Sequence, residues 1–228
     1  MKNWKLSAAV GALGFIAAIT FALNYPAVEN LGSKVRLPVF HGALTWANLM
    51  VFVALGLVAL VYLIKGNEKA YRWTEALRFI SVIMWIVGTV LGFLAAMNTW
   101  DFTGSQTPML TLLMSDPRLV IQIVVALFGL ALFVLPLIVE SHKVRAAVDF
   151  IFVLVMAVGL GWAMNAGKAL HPDSPVMNSD EFIIKALFFC MVISNLVMAA
   201  GFSSAIVAYR TNSLAKRSAK KGSSQITN

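Results

Sequence analysis

Leu37–Ile64, LPVFHGALTWANLMVFVALGLVALVYLI, runs for 28 residues without a Lys, Arg, Asp or Glu. A helix rising 1.5 Å per residue needs about 20 apolar residues to cross a hydrocarbon layer of roughly 30 Å. This stretch is long enough to cross and contains a single histidine near its start. Five further uncharged runs resemble it: approximately Ser7–Asn24, Phe79–Trp100, Leu119–Val139, Phe150–Gly167 and Ala186–Tyr209. Backbone polar groups in lipid must be satisfied within the segment, so continuous apolar runs are helices and not an open sheet. A transmembrane barrel would alternate apolar and polar residues, and these runs do not. The sequence predicts an all-α integral membrane protein with six transmembrane helices.

Composition agrees. Of 228 residues, 60% are hydrophobic and 12% charged, where a soluble domain is nearer half and a quarter. Mean hydropathy is +0.82. A soluble enzyme and a disordered chain are excluded. The net charge of +8 sits at membrane boundaries, so no nucleic acid partner is expected. The single cysteine, Cys190, lies in an apolar run and can form neither an internal disulfide nor a thiolate cluster.

Basic residues set the orientation. One side carries Lys2, Lys5, Lys65, Lys69, Arg72, Arg78, Lys143, Arg145, Arg210, Lys216, Arg217, Lys220 and Lys221; the other carries only Lys34, Arg36, Arg118, Lys168 and Lys185. Both termini are therefore expected in the cytoplasm. Residues 1–209 form the membrane domain. Residues 210–228 form a basic cytoplasmic tail, unstructured past about Ala215 on its Ser, Lys, Gly and Asn content and in contact with membrane lipid. The run after Lys2 and Lys5 is expected to be a retained signal-anchor helix. A bacterial or archaeal inner (plasma) membrane suits the small form. Three loops face outward: Tyr25–Arg36, Asp101–Arg118 and Lys168–Lys185.

The three histidines are the most informative polar residues. His142 sits in the short inner turn Glu140–Arg145 and is expected to be solvated. His41 opens the second span and His171 follows the fifth, which places both on the outer side at similar depth, about 130 residues apart. Two neutral imidazoles facing each other across a cavity make axial ligands for one haem iron, and an imidazole in a membrane is costly unless paired or ligating. The alternative is two interfacial histidines bonded to headgroups or carbonyls. His41, Thr45 and Asn48 fall at i, i+4 and i+7 and form a polar stripe that should face the bundle, as ligand surround or as interhelical hydrogen-bonding groups. Trp46 beside the stripe walls a porphyrin or belongs to the aromatic belt. Trp100 and Phe102 offer flat apolar surface. Asp101 and Asp116 can orient a histidine N–H or meet a partner's base, and Arg118 can pair with a propionate. Equally, Asp116-Pro117 is an ordinary helix N-cap arrangement and Arg118 an interfacial cation.

Other features read as structure. Gly88-x-x-x-Gly92 allows close helix packing, Pro136 kinks the fourth span, and the methionines fill gaps. There is no G-x-S-x-G, Walker loop or H-E-x-x-H. No run carries an ionisable residue at its centre, which weighs against a proton-coupled transporter or pump.

The order of these features resembles the cytochrome c assembly family, the haem-handling membrane proteins of CcmC/CcsA type. Phe40-His-Gly-Ala-Leu-Thr-Trp46 is similar to the family's histidine-led helix. Ser115-Asp-Pro-Arg-Leu119 resembles its W-D-x-R-L at the start of the fourth span, and Ala169-Leu-His-Pro172 its second histidine loop. The likeness spans roughly Leu37 to Tyr209 and rests more on order than on identities. It implies one b-type haem held by His41 and His171 on the outer face, with the Trp100–Arg118 loop lying over it, and an apo-cytochrome c or haem chaperone as partner. The family's tryptophan-rich motif is largely missing: only Trp100 is present, and Ser115 stands where a tryptophan precedes the aspartate. That departure keeps a second reading open, a b-type cytochrome subunit carrying electrons between quinol and a partner redox protein. A third is a haem-free membrane scaffold or small-solute transporter. In the first two the iron is the reactive centre, and the chain is a haem-binding protein more than a catalyst.

Overall fold

A computed structural model describes residues 3–28, 31–100, 102, 105–166 and 176–226, with side chains described as far as 215. Seven helices follow in order: α1 Trp4–Leu23, α2 Arg36–Lys65, α3 Glu68–Thr99, the short α4 Met109–Leu113, α5 Pro117–Ile138, α6 His142–Asn165 and α7 Phe182–Ile226. There are no strands among the described residues. All but α4 are long and apolar enough to span a membrane, so the chain is an all-α, multi-pass membrane protein in contact with lipid. The lipid-facing sides are dressed with exposed Leu, Val, Ile and Phe, such as Leu127, Phe128, Leu154 and Val158.

Local chemistry fixes the helix ends. Gly66 ends α2 at φ +63°, a left-handed conformation that suits glycine, and its N–H donates to the Tyr62 carbonyl. Asn67 then caps α3 by accepting from Lys69 N–H at 2.9 Å, so two residues turn the chain from α2 into α3. Asp116 caps α5, with Pro117 in its first turn. Pro136 falls in the last turn of α5, close to its end at Ile138. Arg145 on α6 donates to the Pro136 and Val139 carbonyls there, which an α-helix terminus leaves without partners.

The core is built around α2, flanked by α3, α6 and α7. Phe52 and Leu55 on α2 are fully buried, and Trp85 and Phe152 pack edge-on against Phe52. α1 lies along α7, where glycines bring the backbones together. A Cβ on Gly14 would stand 2.6 Å from Met198 N and 2.8 Å from Ser194 O, and one on Gly201 would strike the Gly11 backbone.

Three features differ from the sequence reading. The helices extend beyond the uncharged runs: α3 starts eleven residues before Phe79 and α6 eight before Phe150. Arg78 and Asp149 consequently lie inside the bundle, 4% and 0% exposed. They were masked by their place at the edge of an apolar run. The second difference is the basic segment. α7 continues as helix to Ile226, because a helix already nucleated by the bundle pays only propagation for each added Ala, Lys, Arg or Ser. The third is His142, which is exposed as expected but is the first residue of α6 and not part of a turn; it stacks on Tyr71 at 4.0 Å between ring centroids and holds Nδ1 3.6 Å from Glu68 Oε1.

Candidate functional site

His41 lies in the second turn of α2, half-buried against α3. Its Nδ1 stands 2.8 Å from the Gly88 carbonyl oxygen. A carbonyl only accepts, so Nδ1 carries a proton; in the neutral ring the lone pair is then on Nε2. This is the tautomer a metal-ligating histidine adopts when a backbone carbonyl orients it. The ring rests on Gly92: a Cβ there would come within 2.6 Å of His41 Cε1 and 3.0 Å of Nε2.

Below His41 the polar stripe continues. Asn48 is 1% exposed and its Nδ2 donates to the Ser81 carbonyl at 2.9 Å. A narrow cleft one turn deeper than the histidine is lined by Thr45, Asn48, Thr89 and Gln122, with Trp85 at its wall. Trp85 Nε1 donates to the Gln122 carbonyl at 2.9 Å, which ties the first turns of α5 to the level of Gly88 and Thr89. Asn48 Oδ1 and Gln122 Oε1 have no hydrogen-bond partner among the described residues.

The residues read as site candidates divide as follows. Asp116 is 1% exposed and accepts from Arg118 N–H at 2.8 Å and Leu119 N–H at 3.4 Å, so it acts as the α5 cap. Arg118 is half-buried, at the same end of the bundle as His41 and one turn from Gln122; its Nε is buried without a hydrogen-bond partner among the described residues. Trp100 and Phe102 stand 6.4 Å apart and pack with Ala96, Leu113 and Leu119 into an apolar cluster over the ends of α3 and α5. Trp46 is 48% exposed on the outer side of α2, beside Leu49, Met50 and Val53 and away from the His41 stripe. His171 and Asp101 lie outside the described residues.

Sequence reasoning missed Gly92 as a partner of His41. The signal was available in the numbering. α2 and α3 are antiparallel about the Gly66–Asn67 turn, and His41 stands 25 residues before Gly66 as Gly92 stands 25 after Asn67. Equal counts on either side of a tight turn place residues at equal depth.

At the opposite end a second polar group closes the bundle. Arg78 Nη1 on α3 meets Asp149 Oδ2 on α6 at 3.1 Å. Glu75, one turn before Arg78, lies 3.9 Å from it and takes Arg210 Nη1 of α7 at 2.6 Å. Tyr71 OH donates to Glu75, and Arg145 donates to Tyr71 OH. Arg72 reaches Thr211 Oγ1 on α7 at 3.1 Å. These contacts fasten α3, α6 and α7 together.

Near His41's end, Tyr25 follows α1 and is 1% exposed; its carbonyl accepts from Arg36 Nε at 3.0 Å. Burial, with Glu181 nearby as the lesser cause, pushes its phenol up to about 12.

No protein-family model and no curated protein matches this chain.

Proposed function

We propose that this protein binds one b-type haem at the His41 end of the bundle, on the outer face of a cell's inner membrane. His41 and His171 would hold it, and the haem would be delivered outward for cytochrome c maturation. The observation that carries this reading is the His41 tautomer. Its Nδ1–H donates to the Gly88 carbonyl, which orients the ring, and in the neutral form leaves Nε2 as the nitrogen that can ligate. The donor set suits the group. A neutral imidazole is the ligand, and the buried Nε of Arg118, without a hydrogen-bond partner among the described residues, offers a donor for a propionate at the same end.

When bound, haem would supply a redox-active iron, held by the imidazoles. The chain's own residues do the rest. Gly88 fixes the tautomer, Gly92 admits the ring, and the apolar cluster with Trp100 and Phe102 shields the end of the bundle from water. Membrane lipid is one partner; an apo-cytochrome c or a haem chaperone is the other. The packing of Trp100 and Phe102 into that cluster favours a second reading, in which the haem stays resident and passes electrons between a quinol and a partner redox protein.

Haem transfer separates the two. Purified protein loaded with haem in detergent is mixed with excess apomyoglobin and the Soret band is followed. Transfer within minutes supports delivery, and retention for hours supports the resident cytochrome. A wild-type protein that takes up no haem, or a His41→Ala variant that takes it up equally well, overturns both.

A further inference from the structure

The Gly88-x-x-x-Gly92 pair has the spacing of a helix-crossing motif, yet its two glycines meet different things. A Cβ on Gly88 would find only Leu44 Cδ2 at 3.8 Å and Thr45 Oγ1 at 4.0 Å, ordinary contacts. A Cβ on Gly92 would find three atoms of the His41 ring, at 2.6, 3.0 and 3.1 Å, as its nearest neighbours. Real close crossings in this protein look otherwise: at Gly14 and Gly201 the nearest atoms are backbone. We infer that Gly92 is a positioning residue for His41, and that α3 offers a seat for one imidazole and not a groove for the α2 backbone.

The seat has two parts. The backbone carbonyl of residue 88 accepts from His41 Nδ1 at 2.8 Å. One turn further, the missing Cβ of Gly92 is the space in which the far edge of the ring lies. A methyl at 92 would push against the end of a flexible side chain. The helices would stay where they are, and the imidazole would rotate out. Ala is a better helix former than Gly in a helix interior, so Gly92→Ala gains helix stability while it misplaces the ring. Gly88→Ala keeps its carbonyl and meets no tight contact. The two glycines are thus expected to behave oppositely although one motif contains both. This inference concerns the ring itself and holds whether or not a metal is bound to it.

Nitrogen NMR on protein labelled at histidine, in detergent micelles without haem, tests it. The chain has three histidines, and a His41→Ala variant assigns the signal. Wild type and Gly88→Ala are expected to show the neutral His41 ring with its proton on Nδ1. Gly92→Ala is expected to lose that signature while melting no lower than wild type. The inference is overturned if Gly92→Ala retains the signature, if wild type lacks it, or if both alanine variants lower the melting temperature alike, the mark of a helix-crossing motif. A haem-free result leaves this test intact, so its failure and that of the haem reading are distinguishable.

Discussion

Arg78 on α3 and Asp149 on α6 pair at 3.1 Å inside the bundle, with side chains 5% and 0% exposed. α3 has 32 residues and α6 has 24, lengths of about 48 and 36 Å at 1.5 Å per residue. Both exceed a hydrocarbon layer of roughly 30 Å. With each helix centred in the layer, Arg78 and Asp149 lie about 8 and 7 Å from its midplane, well inside it. The cost of placing either charge in lipid is met by the other.

Removing one member of that pair is therefore expected to be far worse than removing both. Asp149→Ala leaves the Arg78 guanidinium buried without its main partner, a loss of about 3–5 kcal/mol. The double variant Arg78→Met, Asp149→Leu is expected to recover most of that. Chemical unfolding of the three variants in detergent checks the non-additivity.

Contact between α1 and α7 depends on backbone proximity at Gly14 and Gly201, where no side chain can give way. Gly201→Val is expected to lower stability by about 1–3 kcal/mol or more, as overpacking does. Gly42→Ala is the control, because a Cβ there meets only Phe188 Cε2 at 3.6 Å. Melting temperatures of the two variants should differ clearly, with Gly42→Ala near wild type.

The Tyr25 phenol, raised to about 12 against an ordinary value of 10, gives a signed pH effect. Below pH 10 the residue is neutral folded or unfolded and contributes nothing to pH dependence. As pH rises from about 10 toward 12, the unfolded chain releases the proton first, and stability falls. Alkaline unfolding of Tyr25→Phe should show a shallower loss over that window, and ultraviolet titration should find one fewer late-ionising tyrosine.

The haem reading separates Arg118 from Trp46. Arg118→Leu removes a donor available to a propionate and is expected to weaken haem affinity by about tenfold, equivalent to about 1.4 kcal/mol. Trp46→Leu alters a lipid-facing surface and should leave haem affinity within twofold. Haem titration followed at the Soret band measures both.

Much of this architecture is legible from the chain alone. Six apolar runs announce six spanning helices, and Asp116-Pro117 announces the α5 cap. The i, i+4, i+7 stripe of His41, Thr45 and Asn48 is inward-facing as its spacing requires. What escaped is what depends on partners distant in sequence. Arg78 and Asp149 are 71 residues apart, and each at the edge of an apolar run reads as a boundary charge. Only the folded bundle shows that α3 and α6 begin about three and two turns earlier. Gly92 reads as a packing glycine because its role is to leave space for a ring from another helix. Trp46 sits beside the histidine in sequence, yet five residues on a helix turn it to a different face.

The most direct measurement is the absorption spectrum of the detergent-purified protein after expression with ample haem, oxidised and dithionite-reduced, beside His41→Ala and His171→Ala. A sharp low-spin α band on reduction, lost or shifted in both variants, is the expected result for one haem held by two histidines. A colourless protein, or an α band indifferent to both substitutions, would contradict it.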